Sequence, residues 1–339
     1  MSEAEDVVPT PDPGPLLALS TAHWGAQTLL TANRLGLFAL LADAPRTAES
    51  VAAALDTDAR ATHLLLNACV GLGLLGNRGG LFGVSPLAEA YLVPGRPGYL
   101  GDALRYNDDL YAAWGRLAEA VGTGRPVVSA ASYTGDDSAQ TRHFVYGMHN
   151  RALGIGRALV ELVDLSGRQR LLDVGGGPGT YSALFAQRHP DLSATVVDLP
   201  GVAAVGAEII AEMGVSERVR HVPGDYTVAD LPGAQDAVLI SGVFHRETAA
   251  RCRDLIERAR EALVPGGLLV ISDVFTDTGG AEPAFATLFG LNMLLTADDG
   301  GVHADSDVAA WMADAGFRDL QRRPFPAPLP HRVVMGVKP

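Results

Sequence analysis

Cysteine is scarce in this 339-residue chain: Cys69 and Cys252 are the only two, far apart in apolar helical patterns and outside any C-x-x-C pair. No zinc knuckle, dithiol redox centre or disulfide framework follows from such usage, which suits a reducing cytoplasm. Positive charge is also sparse, with 26 Lys and Arg against 39 Asp and Glu and a formal net charge of −13. Binding nucleic acid through its phosphates demands clustered Lys and Arg, so the composition argues against that class and is compatible with small-molecule chemistry. Long apolar runs are missing too. The longest, LLNACVGLGLL at 65–75, falls short of the roughly 18 residues of a membrane span and reads as a buried helix. The opening MSEAEDVVPTPDPGP lacks the basic start and continuous apolar core of a signal peptide, and residues 1–14 read as a loose acidic tail. No fixed-period repeat occurs.

What remains is rich in core: 47% of residues are hydrophobic and 19% charged, in a chain long enough for two domains. Residues 15–100 alternate helical apolar patterns with short breaks. GNRGGLFGVSPLAEAYL then supplies two strand-like pieces around Gly79 and Gly80, a hairpin signal, and a further helix. Helices followed by a small wing suggest a winged-helix-like domain. Between Asp56 and Arg78 the basic groups are only Arg60, Arg78 and His63, so a phosphate-reading face is lacking and a packing or dimerisation role is expected instead. Residues 101–165 read as linker and pocket helices, DDLYAAWGRLAEAV at 108–121 and RHFVYGMHNRALGIGRALVELV at 142–163, joined by the loop GTGRPVVSAASYTGDDS. Tyr146, Met148, His149 and Asn150 can line a pocket from the second helix; Trp114 and Phe144 can face either the pocket or the helix core.

From Arg170 the texture becomes strand, glycine turn and helix in alternation: RLLDVGGG, YSALFAQRHP, SATVVDLP, VAAVGAEIIAEMG, RVRHVPGD, AQDAVLISGVF, RCRDLIERAREAL and GGLLVISDVF. Such alternation predicts an α/β domain over 166–339, a doubly wound Rossmann-like parallel sheet with helices on both faces. RDLQRRPFP and HRVVMGVKP, separated by prolines, predict a C-terminal antiparallel hairpin at one edge.

The first strand runs into DVGGGPG, where a nicotinamide fingerprint would need a third glycine at position 180 and the chain has Thr180. The glycines alone indicate a tight strand-to-helix turn. Carboxylates at successive strand ends add the chemistry: Asp173 before the glycines, Asp198 closing TVVD, and Asp225 in PGDY. Strand C-termini share one edge in a doubly wound sheet, so these acids converge, with Asp198 placed for ribose hydroxyls and Asp225 near an adenine edge. Several carboxylates repel a pyrophosphate and tolerate a cation. S-adenosylmethionine carries a sulfonium and an ammonium and no phosphate, and fits where NAD does not.

In the order LLDVGGGPG, VVDLP, PGDY, FH before a helix, ALVPGGLLVISD, LFGLNMLLT and MADAGF, the chain resembles the class I S-adenosylmethionine-dependent O-methyltransferases that carry an N-terminal winged-helix dimerisation domain. The resemblance covers most of residues 15–338. It implies a methyltransferase sheet, a homodimer, and cofactor contacts from Gly175, Asp198, Asp225 and Tyr226, with Ser241 where lysine or another polar residue often stands. Asp173 and Gly177 of the turn and Leu199 beside Asp198 complete the candidate cofactor set.

His245, in GVFHRET, follows an apolar strand on the edge that carries the glycine turn. Methyl transfer to a hydroxyl is an in-line displacement in which oxygen loses its proton, and a histidine can accept that proton; the alternative is a strand-end histidine satisfied by backbone. The resemblance places the family's catalytic histidine at His245 and the acid that orients it at Asp273. It also exposes departures. The family's Asp-Trp after the histidine is Arg246-Glu247, and its later glutamate is replaced by His303 in GGVHAD.

Two histidines at one pocket raise a second mechanism. Relatives that methylate the carbon of α-keto acids hold a metal partly through two histidines at similar places, which implies His245 and His303 as ligands and an enolate nucleophile. Arg246 stands where those relatives have an acid; Glu247, Asp298 and Asp299 are the nearby acids that can substitute. His303 also reads as a group that supports the catalytic residues or faces the substrate, or as a loop residue ahead of a helix capped by Asp305 or Ser306. Asn292 and Met293, in GLNMLL, resemble the family's substrate wall. The favoured reading is therefore a cytoplasmic methyltransferase acting on a hydroxyl of a small aromatic or natural-product substrate, with no metal, nucleic acid or membrane partner. The alternatives are metal-assisted carbon methylation and a winged-helix regulator that binds a small ligand.

Overall fold

The computed structural model describes residues 11–129 and 138–339; the tail up to residue 10 and positions 130–137 of the expected loop lie outside the described residues. The chain divides into two units, Met1–Asp108 and Asp109–Pro339.

The first unit contains helices Gly14–Arg34, Leu37–Ala42, Ala48–Leu55 and Ala59–Gly71, a two-stranded hairpin of β1 (Leu75–Arg78) and β2 (Leu81–Val84), and helix Pro86–Tyr91. Side-chain caps start three of these helices: Thr47 accepts from the Ser50 N–H, Asp58 from that of Ala61, and Ser85 from that of Ala88. Gly79 and Gly80 both take positive φ, 60° and 86°, which makes the two-residue turn that matches strand twist and pairs Arg78 with Leu81. Leu37, Phe38, Leu41, Val51, Leu66, Cys69 and Phe82 close the core. The run at 65–75 is not one helix, contrary to expectation. It stops at Gly71, turns through Gly73 at φ 71°, and enters β1 at Leu75; apolarity continues across the break because both elements face the same core.

In the second unit the expected helix at 108–121 is likewise divided. Tyr111–Trp114 and Leu117–Thr123 are separate, with Arg116 N–H donating to Ala113 across Gly115, where glycine lowers helix propensity. Helix Ser138–Leu162 then runs unbroken. Seven strands form the sheet: β3 (Arg170–Val174), β4 (Ser193–Asp198), β5 (Val219–Pro223), β6 (Gln235–Ser241), β7 (Leu263–Asp273), β8 (Arg318–Pro324) and β9 (Arg332–Val337), in spatial order β5-β4-β3-β6-β7-β9-β8. The first five are parallel, and β9 and β8 close the sheet antiparallel. Alternate strand residues feed opposite faces. Leu172, Val238, Ile240, Leu269 and Ile271 pack with helices Ala249–Ala262 and Asp305–Asp314; Leu171, Leu239 and Val270 pack with Ser138–Leu162 and Thr180–Arg188.

Asp305 does not cap the last helix. Ala304 occupies the cap position, and the buried Asp305 carboxylate accepts from Arg322 at 3.0 Å and Arg332 at 2.8 Å, so it ties the helix to β8 and β9.

Candidate active site

Strand order reverses between β3 and β6, and the crevice of a doubly wound sheet opens beyond the strand ends at that point. The glycine turn leaves β3 there. Gly175, Gly177 and Gly179 have φ of 66°, 55° and 73°, a run that side chains other than glycine's rarely adopt. A Cβ on Gly175 would stand 2.7 Å from Val243 and 3.3 Å from the Tyr226 ring, whereas one on Gly177 would meet nothing within 4 Å; Gly177 borders open space.

Asp173, fully buried at the end of β3, accepts from the Ser182 hydroxyl at 2.7 Å through Oδ2. Its Oδ1 is buried with no hydrogen-bond partner among the described residues. Burial pushes this carboxyl up to about 7, against the pull of the Ser182 hydrogen bond and with the push of the Asp198 charge. Half-buried Asp198 ends β4 and accepts the Gly177 N–H at 2.7 Å and the Leu199 N–H at 2.8 Å. Burial raises it as well, in spite of those two N–H groups and the positive charge of Arg246. Asp225 is exposed beyond β5 and engages the Thr227 N–H and hydroxyl, while the Tyr226 hydroxyl donates to Glu247 at 2.9 Å. Ser241, buried at the end of β6, lies beside the Tyr181 hydroxyl, which burial pushes up to about 12. An acidic edge with an unpartnered buried carboxylate oxygen fits a cationic donor better than a phosphate.

His245 sits in a single 3-10 turn, Phe244–Arg246, directly after β6. Asp273, the last residue of the neighbouring strand β7, grips it twice. Oδ1 accepts from the imidazole Nδ1 at 2.7 Å and Oδ2 from the His245 backbone N–H at 3.2 Å. Burial works to raise the Asp273 carboxyl, but the His245 charge and hydrogen bonds from His245 and the Val274 N–H outweigh it and hold the group below the usual carboxylate range. With Nδ1 committed to Asp273, Nε2 is the imidazole's free nitrogen. The Phe289 ring meets the imidazole edge-on, centroids 4.9 Å apart.

His303 occupies a different environment. Its Nε2 donates to the Glu247 carbonyl at 3.0 Å and lies 3.6 Å from the Cys252 sulfur, and its ring packs on Trp311. A nitrogen that donates to a carbonyl carries its proton and offers no lone pair to a metal. Two of the three acids named as substitutes are engaged elsewhere, Glu247 by Tyr226 and Arg251 and Asp299 by Arg251, and Asp298 is exposed. Among the described residues no group of three His, Cys, Asp or Glu is placed to share an ion.

Of the wall residues, Trp114 and Asn292 come together, the indole N–H donating to Asn292 Oδ1 at 3.0 Å. Met293 is packed against Val274, Ala286, Phe289 and Val302. His149 pairs with the Thr180 hydroxyl at 2.8 Å through Nδ1, burial lowering its affinity for a proton, so it stands beside the glycine turn. Met148 is half-buried on the same helix. Sequence reasoning missed Phe289, one helical turn before Asn292 and Met293, although the i, i+3, i+4 spacing was available. It also missed His221 on β5, whose Nε2 donates to the Gly177 carbonyl at 3.0 Å; nothing in the local sequence distinguishes that histidine from an ordinary strand residue.

Sheet order, glycine turn and acidic edge together define the class, an S-adenosylmethionine-dependent methyltransferase. Residues 99–318 match the O-methyltransferase domain and residues 17–94 the O-methyltransferase dimerisation domain. The chain belongs to this O-methyltransferase family. It is 35% identical to the 3-hydroxy-5-methyl-1-naphthoate 3-O-methyltransferase of Streptomyces sahachiroi, covering 95% of this chain and 94% of that one. Identity to the N,N-dimethyltransferase OxyT of Streptomyces rimosus is 34%, over 96% of each chain. Human N-acetylserotonin methyltransferase in complex with S-adenosylmethionine superimposes with a TM-score of 0.87 at 26% identity, over 100% of this chain and 99% of that one. No helix among the described residues is long and apolar enough to cross a membrane.

Proposed function

We propose that the protein transfers a methyl group to a hydroxyl of a small aromatic, polycyclic natural-product-like acceptor, with His245 as the general base. The observation that carries this reading is the 2.7 Å contact between His245 Nδ1 and buried Asp273. S-adenosylmethionine supplies an electrophilic methyl group on a sulfonium. Asp273 fixes the tautomer in which Nδ1 bears the proton, leaving Nε2 with a lone pair to take the acceptor's hydroxyl proton. As that proton arrives the imidazole becomes cationic, and the ionised Asp273 beside it offsets the charge. Phe289 fixes the ring plane, and Trp114 orients Asn292 so that its amide N–H groups are available to an acceptor oxygen. On the donor side we assign Asp173, Gly175, Gly177, Asp198, Leu199, Asp225, Tyr226 and Ser241 to cofactor contact. The aromatic acceptor class rests on the naphthoate named for the Streptomyces sahachiroi relative.

We assign His303 to holding the turn that carries His245, because its Nε2 is spent on the Glu247 carbonyl; metal-assisted carbon methylation gains no support from that contact. His245→Ala is expected to retain affinity for S-adenosylhomocysteine in calorimetry and to lower turnover of an accepted phenol by roughly 10²-fold or more. Undiminished turnover would leave positioning alone as the source of catalysis.

A further inference from the structure

Among the described residues Arg151 is a cation with no counterion. It lies midway along helix Ser138–Leu162 and is half-buried. Among the described residues it makes no hydrogen bond or ion pair; its guanidinium instead lies over the Phe289 ring, Cζ 5.7 Å from the centroid. Phe289 also meets the His245 imidazole edge-on and stacks on Phe285. One phenyl ring therefore touches both this guanidinium and the proposed base.

The groups that feel its charge are uncharged at neutral pH. Tyr181 is buried and faces Ser241, its hydroxyl held up at about 12. Burial pushes His331 down to about 4, with the Arg151 charge acting in the same direction, so that imidazole is neutral and its buried Nδ1 has no partner among the described residues. Asp273 is an acid felt in the same neighbourhood, and it is already bound to His245. Removing a guanidinium partly from water without a compensating anion is unfavourable, though less so at half exposure than in full burial. A planar fork of N–H donors matches a carboxylate with two parallel hydrogen bonds.

We propose that Arg151 is the seat of a carboxylate on the acceptor, which makes the natural substrate a hydroxyaryl carboxylic acid that presents its hydroxyl to His245 and its acid group to Arg151. The inference rests on the hydroxyl-methylation reading and deepens it. A fused aromatic acid suits this pair because its ring system can lie along Phe289 while its hydroxyl and its carboxylate reach the two groups that ring touches. The amino-acid portion of the methyl donor also carries a carboxylate, so the donor is the competing source. Arg151 shares the Phe289 ring with His245, the group the acceptor must meet, and this favours the acceptor.

The test reads binding, so that it can fail independently of catalysis. The full-length protein saturated with S-adenosylhomocysteine is titrated calorimetrically with 3-hydroxy-1-naphthoic acid and with 2-naphthol, the same hydroxyarene without the acid. The wild type is expected to favour the acid by roughly 10²-fold, the scale of a partly buried charged pair. Arg151→Leu should reduce that preference to a few-fold, and Arg151→Lys should recover part of it, since an ammonium keeps the charge but loses the fork. Affinity for S-adenosylhomocysteine should change by less than about threefold in both variants, and thermal unfolding monitors their folding. Equal affinity of the wild type for the two probes, or no binding of the acid, overturns the proposal. So does a preference that survives in Arg151→Leu while affinity for S-adenosylhomocysteine falls, because the carboxylate at Arg151 would then be the donor's. Failure of the His245→Ala turnover test with the acid preference intact would sink the base and leave the subsite standing.

Discussion

Asp173 carries opposing demands. Burial raises its carboxyl from an ordinary value near 3.8 to about 7, so the folded protein holds that proton more tightly than the unfolded chain. Between those two values each rise in pH removes stability, and the loss is complete above about 7. A cationic ligand reverses the local balance by favouring the ionised form. Affinity for S-adenosylmethionine should therefore fall as pH drops below about 7, and calorimetry at pH 6 and pH 8 measures it; identical affinities would refute the assignment. Asp173→Asn should raise the melting temperature of the ligand-free protein by a few degrees at pH 8 while weakening donor binding about tenfold or more. Much of this scale was legible in advance. Strand-end position singles out Asp173, Asp198, His245 and Asp273, because a parallel sheet collects its C-termini on one edge. His303 was not legible, since its role depends on which backbone carbonyl it meets, Glu247, far from it in sequence. Arg151 was hidden for a similar reason: a missing partner is visible only in three dimensions.

The glycine turn behaves as an element held from both sides. Asp198 takes the Gly177 N–H from the crevice, and His221 donates to the Gly177 carbonyl from behind. His221 fits only because two neighbours lack side chains: a Cβ on Gly206 would stand 2.4 Å from its Nε2, and one on Gly179 3.0 Å from its Cε1. Burial makes this imidazole harder to protonate, so it works as a neutral donor across the physiological range. Glutamine places an amide nitrogen close to where histidine has Nε2, and phenylalanine fills the space without a donor. His221→Gln should accordingly keep the affinity for S-adenosylhomocysteine, whereas His221→Phe should lose about tenfold, near the worth of one buried hydrogen bond. Equal affinities in the two variants would show that the donor does not matter. At this scale the strand and helix alternation from Arg170 was readable because each element buries one face with its own period. The breaks at Gly73 and Gly115 were not, because apolar residues continue through both and conceal the turn.

For the molecule as a whole, the match of residues 17–94 to a dimerisation domain coincides with apolar residues left in water. Leu16, Leu17, Leu19 and Trp24 of helix Gly14–Arg34 are 71%, 65%, 74% and 65% exposed, a concentration that isolated monomers avoid. We propose that a second copy of the chain covers them. Light scattering should give twice the 35.4 kDa mass, and the paired substitutions Leu16→Glu and Leu19→Glu should return the monomer; a monomeric wild type would remove the idea. The helical periods and the hairpin at Gly79 and Gly80 could be read beforehand, and the match to a dimerisation domain agrees with the packing role expected of this region.

Heredity can act on the two halves of this site separately. The glycine turn, the acids and the histidine come from strands β3 to β7, whereas Phe289 and Asn292 belong to helix Ala284–Thr296, downstream of the last parallel strand. Drift confined to that helix can reshape the surface presented to an incoming molecule without disturbing the edge beneath it. A lineage built this way can change its customers while keeping its tools.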